Sequence, residues 1–332
     1  MTKQNKYYNL NIKLNNITKK SSKPDLFDAT KNLERKRAPI FFGPYKPEEY
    51  INAYKDNQPQ KLKLTKTQLK EAYNFIQLYK VDPEARLITI DKKIWIYKII
   101  DQIKYESTDE TIQKKSDEIS KIVPKYYDVE IIEERETADV PYILASMKAS
   151  QAFCRNTFRM INEKKYGGNI AAIKYLINEL NDFKIDPLKT LSSVQLEFLV
   201  VKIFEKNGAF IPAWRGGTLK DIDIIAKFEG NIPDNLLIKK IEEKNIYIQV
   251  KSQLYDDDKV KDLKKLLANS NNFFLITADD EPHKDLKEYY EKKYLTSKWI
   301  KKQIDNNPEI EKWYKKCIEW LPTGNRKETS FK

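Results

Sequence analysis

Two apolar runs in the second half of the chain, "IYIQVKS" at 246–252 and "FFLITA" at 273–278, flank a stretch of helical spacing at about 258–268. Strand, helix and second apolar strand in that order constrain the fold more than any other feature. The second run is apolar throughout, as in a parallel-sheet strand covered on both faces. In the first run Ile246, Ile248 and Val250 share one face, and Tyr247, Gln249 and Lys251 the other, because a strand alternates its side chains. An amide and an ammonium on an otherwise buried strand need a partner or a task, since burying an unpaired charge is costly. This stretch therefore asks for an acidic partner elsewhere in the chain.

The preceding residues supply the rest of a domain. Ser192 followed by Gln195 reads as a capping box that starts a helix with Val194, Phe198, Val201 and Phe204 on one face, ending at Asn207-Gly208. Then come "AFIPAW", the turn "RGGTLK", the strand "DIDIIAKF", a polar hairpin and "IYIQVKS". The order helix–strand–strand–strand–helix–strand describes an α/β sandwich. The tail, 284–320, carries Tyr290, Tyr294, Trp299, Ile304, Trp313, Ile318 and Trp320 among many lysines, and reads as helices packed on the core.

Upstream, "RLITI", "KIWIYKII" and "YDVEII" are β-rich, with a turn at Asp91-Lys92-Lys93. Residues 106–122 are charged and weakly amphipathic, open to a helix or a long loop. We expect 80–135 to form a small β-rich module, with a partly open barrel as one form, and 140–180 to be helical as far as Asp186-Pro187. The resulting organisation is a basic N-terminal arm and lead-in over 1–60, a β-rich module over 61–138 for target recognition or sensing, and a helical linker over 139–185. A core over 186–282 and a helical extension over 283–332 complete it. Trp95, Tyr97, Tyr126 and Tyr127 are either a stacking surface or core aromatics.

Charge narrows the partners. The 332-residue chain has 61 Lys and Arg against 49 Asp and Glu, a net charge of +12, which favours a polyanion such as nucleic acid. Residues 1–40 hold ten Lys/Arg against three Asp/Glu and read as a partly disordered basic arm. Cys154, Cys317 and the one histidine, His283, are far apart in sequence, which excludes a zinc finger, a Cys/His nucleophile pair and a Ser-His-Asp triad. Isolated cysteines, no membrane-length apolar run and no signal-like amino terminus point to a soluble, cytoplasmic protein.

The acidic partner is found in "LKDIDIIAKF". Asp223 lies between two isoleucines; if its strand pairs with 246–252, Asp223, Gln249 and Lys251 converge at one end of the sheet. Glu197 on the preceding helix is a further carboxylate. This combination suits phosphodiester cleavage. Mg²⁺ takes oxygen ligands, here Asp223 and secondarily Glu197, with the Gln249 side-chain oxygen and the Val250 carbonyl as neutral donors. Lys251 is placed to orient or deprotonate a water and to stabilise the transition state. Arg215 and Lys220, beside Gly216-Gly217, are candidate phosphate contacts, with solvated turn charges as the alternative.

Residues 188–280 resemble the PD-(D/E)xK nuclease superfamily, specifically the QxK branch of Mrr-type restriction endonucleases. The likeness runs from Glu197 through "GAFIPAWRGGTLKDIDIIA" to "IYIQVKS" and "FFLITA". The resemblance implies a restriction-endonuclease-like αβββαβ core. It assigns the metal-binding aspartate to Asp223, the second metal position to Gln249, the catalytic lysine to Lys251 and the helical acid to Glu197; Gly216-Gly217 match the glycine-rich turn. The family usually has further glycines where this chain has "TLKDI", which makes Asp221 the second choice for the metal aspartate. The implied activity is Mg²⁺-dependent cleavage of double-stranded DNA, with Mn²⁺ as a substitute, by a restriction or phage-defence endonuclease. A junction-resolving nuclease and a degenerate, DNA-binding relative are the alternatives. One site per chain and two strands to cut imply a homodimer.

Overall fold

The computed structural model describes residues 6–10, 29–40, 44–105, 110–113, 119–123, 125–149, 158–180, 186–214, 221–233, 236, 245–254 and 257–322. The chain divides into two units, 1–166 with 172–179, and 167–171 with 180–332. The helix Glu163–Leu176 is shared between them.

The first unit is built on a seven-stranded sheet. Its strands are β1 (Tyr7–Leu10), β2 (Arg37–Ile40), β3 (Arg86–Ile90), β4 (Lys93–Ile99), β5 (Lys104–Tyr105), β8 (Lys125–Glu136) and β9 (Phe158–Met160); β6 (Glu110–Gln113) and β7 (Ile119–Ile122) form a separate hairpin. The order is β2-β8-β4-β3-β1-β9, with β5 also on β8, and only the β1–β3 pair is parallel. Leu87, Trp95, Tyr97, Tyr127 and Val129 face a core shared with Phe75 and Leu78. Helices α1 (Pro47–Lys55) and α2 (Lys66–Ile76) form their own cluster around Tyr50, Leu69 and Ile76. The Tyr127 hydroxyl bonds the Phe75 and Ile76 carbonyls at 2.7 and 2.8 Å, tying the end of α2 to the sheet.

Three expectations change here. The sheet is not confined to 80–135: Tyr7–Leu10 and Arg37–Ile40, within the expected basic arm, are strands, and Tyr7 and Leu10 are buried. Strands this short show no readable period, and their partners are distant in sequence. The 106–122 stretch contains a β-hairpin, and the expected 140–161 helix is a short helix (Tyr142–Ala145), a 3-10 turn (Ser146–Ala149) and β9 in its described parts. Trp95, Tyr97 and Tyr127 are core residues; Tyr126, on the opposite face, is half-buried with the Arg37 guanidinium 4.4 Å from its ring centre.

The second unit follows the expected element order. Helix α3 (Ser193–Lys206) is closed by the capping box, with Ser192 N donating to Gln195 Oε1 at 3.0 Å and Gln195 N to Ser192 Oγ at 3.1 Å. It ends at Asn207, followed by Gly208 at φ +89°, a left-handed conformation suited to glycine. Strands β10 (Ala209–Trp214), β11 (Ile224–Phe228) and β12 (Asn245–Lys251), helix α4 (Asp257–Asn269) and strand β13 (Phe273–Thr277) come next. A short β14 (Tyr294–Leu295) and helices α5 (Ser297–Asp305) and α6 (Pro308–Cys317) close the described part.

The sheet order is β10-β11-β12-β13-β14, antiparallel as far as β12 and parallel from there. Ile224, Ile246, Ile248, Val250 and Ile276 pack on one face against α3, α5 and α6 through Leu196, Val200, Ile300 and Ile310. On the other face, Val260, Leu263 and Leu267 of α4 cover Phe273, Leu275 and Tyr247. The sheet is thus a central layer with helices on both sides. The buried side of α3 is broader than the expected stripe: Val194 and Phe198 are half-buried, and Phe198 meets Trp214 and Trp313. At the edge, Pro212 and an irregular register between Phe210 and Ala213 blunt β10 against further strand pairing.

Candidate active site

The register of β11 against β12 decides the site. Ile224 lies opposite Ile248, and the pairing continues one residue further because Asp223 N donates to Ile248 O at 2.9 Å. Asp223 is thereby fixed at the mouth of β11, beside the last residues of β12. Its Oδ2 accepts from Val250 N at 2.8 Å, from Gln249 Nε2, and from Lys251 Nζ at 3.4 Å. The sequence places these polar residues together because alternation puts Gln249 and Lys251 on one face, while the Val250 amide points sideways toward β11.

Burial grades along the strand. Gln249 is 2% exposed, whereas the side chains of Asp223 and Lys251 are 22% and 38% exposed. The group is therefore anchored inside and open at its lysine. Gln249 is an amide with two ends, and only one is used. Nε2 is bonded to Asp223, but Oε1 is buried with no hydrogen-bond partner among the described residues. Buried polar atoms are nearly always paired, so an orphan acceptor is the unusual feature of the group. In a strand a residue's carbonyl lies on the same edge as its N–H, so the Val250 carbonyl is on the edge of β12 that faces β11.

The other expected site residues are placed differently. Among the described residues, the groups bonded to the Asp223 carboxylate are Gln249, Val250 and Lys251; Glu197 is not one of them. Glu197 is half-buried on α3, the helix packed on the Ile248 and Val250 face, opposite the face of Gln249 and Lys251. Asp221 is exposed in a turn with φ +63°, a left-handed conformation that breaks the alternation linking it to Asp223. Asp223 is accordingly the aspartate of the group. Arg215, Gly216, Gly217 and Lys220 lie outside the described residues.

Two features were not read from the sequence. The Val250 amide anchors the carboxylate, a role no side chain reveals. Asp279, after β13, lies at the same end of the sheet: Ala278 N donates to Lys251 O at 3.2 Å, and Asp279 Oδ2 accepts from Leu254 N at 3.2 Å. Burial, more than any neighbouring charge, holds the Asp279 carboxyl above the usual aspartate range. The "TADD" following an apolar strand was the available signal. Next to it, Asp280 accepts from Lys189 at 3.1 Å and from Ser297 Oγ at 2.9 Å, and Asp186 pairs with Lys301, so this acid belongs to an ion-pair network.

Elsewhere, the Cys317 thiol is pushed up to about 11 by burial, which makes it a poor nucleophile at neutral pH. His283 Nδ1 accepts from Asp285 N at 3.3 Å, a local cap. Among the described residues no three His, Cys, Asp or Glu side chains gather into a metal-holding group, so any cation here would rely on amide and carbonyl oxygens beside Asp223. No described helix is long and apolar enough to cross a membrane. No family model matches the chain, and neither a curated protein nor a solved structure shows significant similarity to it.

Proposed function

We propose that the chain is a Mg²⁺-dependent DNA endonuclease with a restriction-endonuclease-like core of the PD-(D/E)xK type, in the QxK branch. On this reading it acts in restriction or phage defence as a cytoplasmic homodimer. The observation that carries the proposal is the meeting of Asp223, Gln249 and Lys251 around one carboxylate oxygen at the end of β12. The helix–strand–strand–strand–helix–strand order and the net charge of +12 support it.

The donor set fits a hard cation. Asp223 and the Val250 carbonyl are candidate oxygen ligands, with Gln249 Oε1, unpartnered among the described residues, as a third once its amide turns; Mg²⁺ sites commonly combine one or two carboxylates with water and substrate phosphate. When bound, the ion supplies an acidified water and offsets charge on the phosphate. The chain's own residues do the positioning. Asp223 is held by the Val250 amide, Gln249 presents its amide from the buried side, and Lys251 reaches the same oxygen from solvent. Lys251 Nζ is placed to orient the attacking water and to donate to a phosphate oxygen as the P–O bond breaks. Glu197, on α3 against the other face of the sheet, is the secondary acid of this reading.

The test incubates the protein with supercoiled, linear, methylated and branched DNA, in Mg²⁺ or EDTA. Cleavage in Mg²⁺ that falls by about 100-fold or more in Asp223→Ala and Lys251→Ala is expected. Normal cutting by both variants removes the site assignment. Preference for branched DNA shifts the reading to a junction-resolving nuclease; binding without cleavage on every substrate makes the chain a degenerate nuclease that binds DNA. Paired cuts on both strands are expected of a homodimer, and nicks alone overturn that part.

A further inference from the structure

The Gln249 amide faces the wrong way for a metal ligand, and this is its most informative property. Its NH₂ end sits against Asp223 Oδ2, and its oxygen is buried without a partner among the described residues. An N–H pointing at a carboxylate oxygen closes that oxygen to a cation, because the positive end of the amide dipole occupies the approach. Lys251 Nζ, 3.4 Å from the same oxygen, adds a full positive charge. Together with the Val250 N–H they leave Asp223 Oδ2 fully donated and the Asp223–Lys251 pair neutral.

We infer that Gln249 is a latch: in the cation-free protein its NH₂ holds Asp223, and cation binding turns the amide so that Oε1 replaces Nε2 beside the carboxylate. This rests on the metal-site reading above. The physics has two states. Without a cation, a turned amide sets its oxygen against the Asp223 oxygen, and the repulsion returns it. With a cation between the two oxygens, the same arrangement is the favoured one. Gln249 is buried, so the turn takes place inside a packed strand face rather than by a swing into solvent. Lys251, 38% exposed, is the group free to move outward and meet a phosphate when the cation replaces it.

The latch explains why an amide is useful at this position. A glutamate at 249 cannot donate, so in the cation-free state it would face Asp223 as a second negative charge. Glutamine instead gives a cation-free site that is satisfied and stable, at the expense of affinity. Gln249 is thus a positioning residue that makes assembly of the site conditional on the ion.

The test uses full-length protein labelled with ¹⁵N at glutamine, with the Gln249 NH₂ pair assigned by its absence in Gln249→Glu. In EDTA the pair is expected to be displaced downfield and slow to exchange with solvent; titration with MgCl₂ alone is expected to shift it and speed its exchange. Melting curves run alongside. Gln249→Glu is expected to melt below the natural protein in EDTA and to gain more from Mg²⁺ than the natural protein does. If Mg²⁺ raises the melting temperature of the natural protein while the Gln249 pair stays fixed, the latch is overturned and the metal site stands. If Mg²⁺ changes neither signal, the metal reading falls and the latch with it. A Gln249 pair that exchanges freely in EDTA overturns the latch whatever the cation does.

Discussion

The two sheets place lysine beside acid in different ways. In the seven-stranded sheet the pairs form across neighbouring strands: Lys98 with Glu130 at 2.9 Å, Lys104 with Asp128, Lys93 with Glu134. Every cation there is matched by at least one acid, Lys93 and Lys104 by a second in Glu136 and Asp101, and the participants are substantially exposed. In the five-stranded sheet three donors converge on one oxygen of Asp223, and a buried acceptor beside them has none among the described residues. Pairing of the first kind is complete in itself and needs nothing further. Convergence with a remainder is not complete in this way. Polar residues on a strand are thus informative through the balance of donors and acceptors, not through their number.

Burial of a lysine alone does not mark a site, and Lys125 is where that claim can be broken. It is fully buried, yet its ammonium donates to Val123 O at 2.6 Å and Tyr45 O at 3.0 Å and lies 5.2 Å from the centre of the Tyr50 ring. These partners tie the start of β8 to the segment before α1. Lys125→Ala removes the packed stem and strands two carbonyls, so a loss of about 2–4 kcal/mol is expected in urea unfolding. Lys125→Met keeps the stem and is expected to recover about half of it. Lys251→Ala, by contrast, is expected to change stability by under about 1 kcal/mol, because its pair is partly exposed. A Lys125→Ala protein as stable as the original would erase the distinction between structural and site lysines.

The same distinction marks what could be read from the sequence. The second unit was legible because each of its elements announces itself: the Ser192/Gln195 box, Gly208 after the helix, and the alternating and fully apolar strands. Once β11 was set beside β12, the meeting of Asp223 with Gln249 and Lys251 followed from alternation. The place of Glu197 did not follow, because helical spacing says which side is apolar but not which end of a sheet a neighbouring residue overlooks. Nor did the choice between Asp221 and Asp223, which turns on a left-handed φ at Asp221. In the first unit, β1, β2 and β9 are three or four residues long and are held by tertiary pairing rather than by any local pattern.

Asp279 sharpens the comparison from the acid side, with a smaller effect. Its carboxyl is raised, by burial first, so the folded state favours the protonated form. The resulting stability penalty is absent well below the ordinary aspartate value of 3.8, appears as pH rises through that value and the folded one, and is complete at neutral pH. Asp279→Asn keeps an oxygen for Leu254 N and removes the charge. At pH 7 it is expected to raise the melting temperature by less than Lys125→Ala lowers it, and the gain should vanish in acid. A fall at pH 7 would mean that Asp279 is needed as an ion at this edge of the sheet.

The smallest effect belongs to the exposed pairs. Lys104 is bonded to Asp128 and, at 3.0 Å, to Asp101, and these side-chain bonds push its ammonium up to about 12. A lysine raised in this way contributes its stabilisation at every pH below its ordinary value of 10.5, and loses it only as pH climbs through the folded value. No pH dependence from this group is therefore expected between neutral pH and mild alkali. The pair is solvated, and the two side chains lose rotamer freedom in forming it, so attraction and cost nearly cancel. Lys104→Ala should leave the neutral-pH melting temperature within experimental scatter, in low salt and in high salt alike. A clear fall at low salt that disappears at high salt would show that these exposed charges act as a connected network, and the description of the first sheet's pairs as complete in themselves would have to give way.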